Sequence, residues 1–198
     1  SDVCSSDLSS TGFTDFLSAL CTVSLSELTA STGPTVFSVQ KLVETVSYNC
    51  KRRDTKTWIR AWRTLHSFFE NIVALGLSSV SLYAVDIAKQ LAQKWLEAEP
   101  RMGWDLQRQA LRPLEPCFGS SSSGSNVAVR ELVLQCISQI VLSKGDDLKG
   151  GWRSVFSVLT SAASDKEENI VVFGWQILER ISRYNLSIEE IGRASCRE

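Results

Sequence analysis

Apolar residues recur along this chain at the three- and four-residue spacing of an amphipathic α-helix. The first stripe contains Val39, Leu42, Val43 and Val46, which occupy positions i, i+3, i+4 and i+7. Five further stripes follow at residues 58–72, 80–95, 129–140, 152–159 and 170–181. No segment shows a sustained alternation of apolar and polar residues, and no Asn-Gly or Asp-Gly pair marks a hairpin. The pattern therefore predicts helices and no sheet.

One helical face occurs three times in these stripes. When Leu91, Ile140 and Ile181 are aligned, small or apolar residues also match four, seven and eleven positions earlier. These matches are Ile87, Cys136 and Ile177; Ala84, Val133 and Gly174; and Val80, Val129 and Ile170. The offsets of 49 and 41 residues are typical of HEAT or armadillo arrays, in which hairpins stack because one hairpin cannot cover its own apolar face.

The repeat predicts an all-α fold, a HEAT/armadillo-like α-solenoid of about eight helices in stacked antiparallel hairpins. Short Gly-, Ser- and Asp-rich connections favour antiparallel neighbours. A non-repetitive helical bundle uses the same stripes and is the alternative fold.

Capping and breaking residues set several predicted helix ends. Asp54 precedes the stripe at 58–72, and Gly76 follows it as a stop signal. Pro113 and Pro116 are expected to end or kink another helix, because proline lacks a backbone N–H and its ring clashes with the preceding turn.

Tryptophan is expected mainly in the core. Trp58 and Trp62 fall on the apolar face of their predicted helix. Trp152 begins the helix that should pack beside the last one, where Trp175 follows Gly174. We therefore expect Trp152 and Trp175 to be buried together at the interface between these two helices.

The two ends of the chain do not resemble protein sequence. Residues 1–8 (SDVCSSDL) and the final string IGRASCRE, within residues 190–198, are the in-frame translations expected of short-read sequencing adapters. We therefore take residues 9–189 as the genuine segment, part of a longer protein, with a possible flexible loop at 119–125. The flanks are expected to be disordered, so that deleting both should change the melting temperature by less than about 2 °C.

Composition and charge exclude several classes of protein. Basic and acidic residues number 21 and 22, giving a net charge of −1, which argues against a general nucleic-acid binder. Six Trp and eight Phe need a packed core and exclude a wholly disordered chain. The longest uncharged run, Asn71–Val85, is too short and too polar to span a membrane.

No catalytic, metal or cofactor site is predicted from the residue pattern. No G-x-G or G-K-[ST] motif is present for binding phosphate. The single histidine, His66, lies among aromatic residues of a predicted helix, where packing is its simplest role. Gly145, Asp146 and Asp147 resemble the acidic pair of some polymerases, but they link two helices and are interpreted as a turn and cap.

The cysteines are interpreted as unpaired thiols. Outside the flanks they are Cys21, Cys50, Cys117 and Cys136, and their wide spacing matches neither a metal knuckle nor a C-x-x-C motif. Cys21 and Cys136 fall on apolar helical faces. Buried free thiols in a reducing compartment are therefore expected.

One cluster of basic residues is the only local charge asymmetry. It contains Lys51, Arg52, Arg53, Lys56, Arg60 and Arg63, of which the last three share one helical face. A solvated surface is the simpler interpretation. Contact with an anionic lipid or an acidic partner is the functional one.

Several blocks, in order, resemble the large Arf guanine-nucleotide exchange factors of the brefeldin A-inhibited (BIG) type. The blocks are FLSALCTVSLSEL (16–28), VFSVQKLVETVSYN (36–49), AVDIAKQLAQKWLE (84–97), LRPLEP (111–116) and RELVLQCISQIVLSKGDDLKGGWRSVFSVLTSAASD (130–165). Their order and spacing match the region downstream of the catalytic domain over nearly all of residues 13–184. The resemblance implies a HEAT-like solenoid in which the first downstream homology region continues into the second.

The resemblance also implies a function. In this family a separate upstream domain performs nucleotide exchange, so this segment is expected to be a non-catalytic regulatory scaffold without a cofactor. Its implied partners are activated Arf-family GTPases, other domains of the parent exchange factor and anionic membrane, at the cytosolic face of the Golgi and trans-Golgi network. A related Golgi HEAT scaffold without an exchange domain and an unrelated HEAT adaptor are the alternatives. Sequence upstream of Thr11 would separate the first two.

Overall fold

The computed structural model describes residues 8–30, 35–98, 104–119 and 126–183. Within these ranges the chain forms nine α-helices and no strand, which confirms the all-α prediction. The helices are α1 (Ser10–Leu28), α2 (Phe37–Asn49), α3 (Thr55–Ala74), α4 (Ser78–Ala98), α5 (Trp104–Leu111), α6 (Leu114–Gly119), α7 (Val127–Lys144), α8 (Gly151–Ala163) and α9 (Glu168–Arg183).

The helices pack in two layers. One layer contains α1, α3, the α5–α6 pair and α8, and the other contains α2, α4, α7 and α9, with each helix touching the next in that order. Successive helices also pair across the layers, as α1 with α2, α3 with α4, α6 with α7, and α8 with α9. The described residues therefore form a solenoid-like stack of four helical hairpins.

Aromatic contacts show the direction of the helices. Trp58 lies near the start of α3 and Trp95 near the end of α4, and their ring centroids are 4.2 Å apart. These two successive helices are therefore antiparallel. Phe13, near the start of α1, lies 5.5 Å from Trp58, so these neighbours within one layer run in the same direction.

The predicted helix ends at Asp54 and Gly76 are confirmed. The Asp54 carboxylate accepts a hydrogen bond of 2.7 Å from the Thr57 backbone N–H, which caps the start of α3. Gly76 has a φ of 66° just beyond the end of α3, a left-handed conformation that favours glycine. Its N–H donates to the Val73 carbonyl at 3.1 Å.

The proline-rich segment behaves as predicted. Helix α5 ends at Leu111 and α6 begins at Leu114, so Pro113 lies at the break between two short helices. Pro116 occupies the first turn of α6, where its missing N–H removes no intrahelical bond. When α5 and α6 are counted as one kinked helix, the stack has the eight helices expected from the sequence.

The face that occurs three times in the sequence is the buried face of α4, α7 and α9. All twelve aligned positions are buried, and Leu91, Ile140 and Ile181 are 0%, 0% and 4% exposed. Each of these helices turns this face toward the opposite layer, so one continuous core runs through the stack.

Aromatic residues fill the core at the first two hairpins. Phe13, Trp58, Trp62 and Trp95 are at most 1% exposed and contact one another edge-on. We call these four residues the tryptophan cluster. It joins α1, α3 and α4, as the apolar positions of Trp58 and Trp62 predicted.

A tight seam joins α5 to the start of α8. The fully buried Gln107 side chain donates to the Asp147 carbonyl at 2.8 Å and accepts from the Lys149 N–H at 2.6 Å. Gly151 allows close approach, because a Cβ there would lie 2.9 Å from Leu111 Cδ1. The Gly-Asp-Asp turn is confirmed as a 3-10 turn at 145–147, although α8 begins without a side-chain cap.

One tryptophan prediction is wrong. Trp152 is 1% exposed, as expected, but Trp175 is 60% exposed. Gly174 is the residue of α9 that turns toward α8, and a Cβ on it would lie 3.1 Å from the Ala162 Cβ. Because Trp175 is the next residue, it projects about 100° around the helix from that contact and lies on the outside.

Cysteine burial follows the sequence interpretation. Cys21, Cys117 and Cys136 are buried free thiols, and Cys50 is half-buried. Burial raises the pKa of Cys21 and Cys117 to about 12 and that of Cys136 to about 11, so these thiols are neutral and unreactive at neutral pH.

The expectations for the flanks and the Gly/Ser loop fall largely outside the described residues. Leu8 is the exception among residues 1–8, because it packs partly against the core.

Candidate functional site: a basic surface on helix 3

The basic cluster lies at the turn between α2 and α3 and along the first half of α3. Lys56, Arg60 and Arg63 are all exposed. On the opposite face, Trp58 and Trp62 are 1% and 0% exposed in the tryptophan cluster. The burial of the two aromatic rings therefore directs the three cations toward solvent, as the helical spacing predicted.

Arg53 differs from the other basic residues because it is used inside the fold. Its Nε donates to Asn49 Oδ1 at 3.2 Å and its Nη1 donates to the Leu8 carbonyl at 2.5 Å. Its guanidinium also lies 4.8 Å from the centre of the Phe13 ring. Arg53 therefore fastens the start of α1 to the α2–α3 turn and is not part of the cationic surface that the sequence suggested.

Arg52 and Lys51 are exposed in the same turn. The Arg52 guanidinium lies 4.0 Å from the centre of the Tyr48 ring, a cation–π contact that holds the side chain against α2. We call Lys51, Arg52, Lys56, Arg60 and Arg63 the basic surface.

Acidic residues lie both within the basic surface and beyond it. Between Arg52 and Lys56, hydrogen bonding from Thr57 lowers the pKa of Asp54, and the charges of Arg60 and Lys56 lower it further. Past Arg63, the Glu70 carboxylate lies 3.2 Å from His66 Nδ1. The positive charge of the basic surface is therefore local, and neighbouring carboxylates partly compensate it.

His66 lies at the far edge of the basic surface. Burial lowers the pKa of this imidazole, and the positive charge of Arg112 lowers it further. Arg112 is an exposed residue in the turn between α5 and α6, so the packing of that turn against α3 adds a cation that no spacing rule on α3 could reveal. The sequence expectation of a packed His66 is confirmed, since it is 9% exposed.

Exposed guanidinium and ammonium groups on a rigid helix can bind anions and acidic surfaces. Such contacts are weak individually and screened by salt. In the part of the chain that the structure describes, no group of three or more His, Cys, Asp or Glu side chains is arranged to hold a metal ion. No described helix is both long and apolar enough to cross a membrane.

Comparison with known proteins gives the family context. Residues 94–180 match the Sec7-like HDS family, described as Mon2/Sec7/BIG1-like, HDS. This match covers the end of α4 and the described helices after it as far as Arg180 of α9, but not the basic surface.

Curated relatives extend the similarity over most of the chain. Brefeldin A-inhibited guanine nucleotide-exchange protein 4 of Arabidopsis thaliana is 42% identical over 179 residues, which cover 89% of this chain and 10% of that protein. Protein 1 of the same plant is 43% identical over 171 residues, which cover 85% of this chain and 10% of the relative. The human protein 1 is 35% identical over 172 residues, which cover 87% of this chain and 9% of the relative.

The chain therefore spans about a tenth of the length of the curated relatives that it matches. The resemblance to the large brefeldin A-inhibited exchange proteins is confirmed, and the similarity includes the HDS region that lies outside the catalytic Sec7 domain.

Proposed function

We propose that this chain is a non-catalytic regulatory segment of a large Arf guanine-nucleotide exchange factor. In this proposal it acts in vesicle trafficking, at the cytosolic face of the Golgi and trans-Golgi membranes. It couples the binding of activated Arf, or of anionic membrane, to control of the exchange activity, which resides in another domain. Residues 9–189 are proposed to be its native part, in a HEAT/armadillo-like arrangement.

The observation that carries this proposal is the similarity to exchange proteins along almost the whole chain. An identity of 42% over 179 residues spans the basic surface as well as the later hairpins. The relatives' names give guanine-nucleotide exchange as the activity of those proteins. The family description also includes Mon2-like proteins, so a related scaffold without an exchange domain is the second candidate.

The fold supports a regulatory role on physical grounds. A stack of hairpins, in which each hairpin contacts only its neighbours, presents a large and extended surface for binding. Control of a distant domain requires a segment whose binding energy differs between two states of the whole protein. It does not require a catalytic residue in the segment itself.

The basic surface supports a contact with anionic membrane or an acidic partner surface. Each exposed cation near an anionic leaflet contributes about 1 kcal/mol, so five cations can orient a protein that is already recruited. They do not provide stable anchoring at a net charge of −1.

The absence of catalysis is tested with Arf loaded with a fluorescent guanine nucleotide. We expect the chain to leave nucleotide release at the spontaneous rate, because the proposal places exchange in another domain. A catalytic exchange domain from one of the relatives serves as the positive control. Release above the spontaneous rate, proportional to the concentration of the chain, would overturn the non-catalytic assignment.

The basic surface is tested by reversing three of its charges, Lys56→Glu, Arg60→Glu and Arg63→Glu. We expect binding to vesicles of phosphatidylserine and phosphatidylcholine, or to GTP-loaded Arf, to weaken by on the order of a hundredfold at low salt, because three cations at about 1 kcal/mol each contribute about 3 kcal/mol. The difference should shrink as salt rises, because exposed charges are screened over roughly 10 Å at 0.1 M. Arg53 is left unchanged because its side chain fastens the start of α1 to the α2–α3 turn.

The matched control reverses three other exposed lysines, Lys94→Glu, Lys149→Glu and Lys166→Glu. This variant has the same net charge as the first, and circular dichroism checks that both retain their helicity. If both variants bind equally, the effect comes from overall charge. If the first binds as well as the unmodified chain at low salt, the basic surface is only solvated.

A further inference from the structure

A threonine follows two consecutive arginines in the turn that carries the basic surface. Arg52 lies three positions before Thr55 and Arg53 lies two positions before it, in the sequence Arg-Arg-Asp-Thr. Arginines at these two positions before a serine or threonine are the substrate pattern of arginine-directed protein kinases, whose acidic grooves bind the guanidinium groups. Thr55 is exposed in the described part of the chain, whereas Thr57, two residues further on, is fully buried. The motif therefore leaves its acceptor residue accessible.

The backbone just before Thr55 already has the extended form in which a kinase binds its substrate. Asp54 has a φ of −72° and a ψ of 162°, which is an extended conformation. Thr55 is the first residue of α3, so its N–H has no carbonyl partner within the helix. A kinase therefore needs to open only the α2–α3 turn and the first turn of α3, at a helix end where fraying is least costly.

The two arginines of the motif are held by the fold to different degrees. The Arg52 guanidinium is exposed and stacks on the Tyr48 ring, a contact that is weak at an exposed site. Arg53 is half-buried and donates to Asn49 Oδ1 and to the Leu8 carbonyl. A kinase can therefore bind Arg52 directly, whereas binding of Arg53 requires release of its hydrogen bonds to α1 and α2.

We propose that Thr55 is a phosphorylation site for an arginine-directed kinase, and that its phosphate acts as an electrostatic switch on the basic surface. In the reaction Thr55 Oγ1 forms a bond to the γ-phosphorus of ATP, and the bond between that phosphorus and the oxygen bridging it to ADP breaks. The hydroxyl proton passes to the catalytic aspartate of the kinase, and ADP leaves.

The phosphate removes about half of the local positive charge. The five cations of the basic surface and the single carboxylate of Asp54 leave a local charge of +4, and a phosphate adds about −1.5 to −2 at pH 7. Negative charge is favourable at the start of a helix, so α3 should stay folded. The effect on binding rests on the proposed function, in which the basic surface contacts anionic membrane.

The site is tested by incubating the full chain with ATP, Mg²⁺ and the catalytic subunit of a cyclic-nucleotide-dependent kinase, an arginine-directed enzyme. We expect a single phosphate per chain, which tandem mass spectrometry should place on Thr55. Thr55→Ala should abolish this incorporation, and Arg52→Ala should lower kcat/KM by on the order of tenfold. The matched controls are Thr160→Ala, an exposed threonine with no arginine at the three positions before it, and Arg112→Ala, an exposed arginine in another turn. Both should leave the incorporation unchanged.

The switch is tested by comparing the phosphorylated and unphosphorylated chains on vesicles of phosphatidylserine and phosphatidylcholine. We expect phosphorylation to weaken binding by roughly thirtyfold at low salt, because it cancels about two positive charges. The difference should shrink as salt rises, and phosphatase treatment should restore binding. Circular dichroism should show the same helicity in both forms.

Three results would overturn the proposal or part of it. The site is wrong if a peptide of residues 48–59 is phosphorylated while Thr55 of the folded chain is not. The switch is wrong if the phosphorylated chain binds vesicles as well as the unphosphorylated chain does. If the unphosphorylated chain binds no vesicles at low salt, the membrane contact of the proposed function fails and the switch fails with it, whereas mass spectrometry still decides whether Thr55 is modified.

Discussion

Tryptophan occurs both in the tryptophan cluster and on the outer side of α9 (Val172, Trp175, Leu178 and Ser182, the α9 flank), but its burial is opposite in the two regions. Trp58, Trp62 and Trp95 are at most 1% exposed, whereas Trp175 is 60% exposed. The cluster lies between hairpins that cover it from both layers. The flank lies on the last described helix, where the layer has no further neighbour among the described residues.

This difference shows that helical periodicity identifies faces but does not identify what covers them. A face is buried when a second element packs on it, and in a stack that element belongs to another repeat. The exposed tryptophan is therefore a property of the position of α9 in the stack, since no described helix of its layer packs beyond α9.

The largest expected difference between the two regions is tested by replacing one tryptophan in each region with alanine. Trp95 contacts Trp58 at 4.2 Å and Trp62 at 5.7 Å. We expect Trp95→Ala to lower the free energy of unfolding by about 3–5 kcal/mol, because it removes a large buried side chain and leaves a cavity. Urea unfolding followed by circular dichroism measures this change.

Trp175→Ala is the matched variant in the exposed region. It should lower the free energy of unfolding by less than about 1 kcal/mol, since surface substitutions that touch no core are nearly neutral. Equal losses for the two variants would contradict the burial difference between the regions.

A second test compares two glycines, one inside a covered seam and one in an open turn. A Cβ at Gly151 would lie 2.8 Å from Leu148 Cδ2 and 2.9 Å from Leu111 Cδ1, whereas a Cβ at Gly145 would meet nothing within 4 Å. We expect Gly151→Ala to cost about 1–3 kcal/mol through overpacking. Gly145→Ala is the control and should change the free energy of unfolding very little.

Thermal and urea unfolding of both glycine variants would measure these costs. If Gly151→Ala were as stable as Gly145→Ala, the seam between α5 and α8 would be looser than the contacts of Gln107 indicate.

The smallest expected effect concerns His66, at the edge between covered core and open surface. Burial lowers its pKa, so below about pH 6.5 the unfolded chain binds a proton more readily than the folded chain does. The free energy of unfolding should therefore fall as the pH drops below about 6.5. Well above this pH, His66 is neutral in both the folded and the unfolded chain and does not change the stability.

The comparison of pH 7 with pH 5 is made for the unmodified chain and for His66→Gln. Because His66 is the only histidine in the chain, the variant should lose less stability over this interval. An identical loss in both proteins would mean that His66 does not contribute to the pH dependence.

Much of the fold was predictable because its rules are local. The caps at Asp54 and Gly76 follow from backbone hydrogen bonding and from glycine's access to positive φ. The break at Pro113 follows from the missing N–H. The buried face of α4, α7 and α9 follows from a periodicity that only the core can satisfy.

The candidate site was predicted less completely, and Arg53 and Arg112 show why. Spacing on α3 correctly placed Lys56, Arg60 and Arg63 on one exposed face. It could not show that Arg53 reaches back to the Leu8 carbonyl, 45 residues away. Nor could it place Arg112 near His66, because that proximity depends on how the α5–α6 turn packs against α3.

By itself the sequence determined where helices form, where they end and which face each one buries, because these depend on residues within a few turns of one another. Only the tertiary structure decided that Arg53 binds inward, that Gln107 holds the turn before α8, and that Trp175 lies outside. Each of these depends on which hairpin lies next in the stack. Contacts between residues about 40 or more positions apart cannot be read from the spacing of apolar residues along the chain.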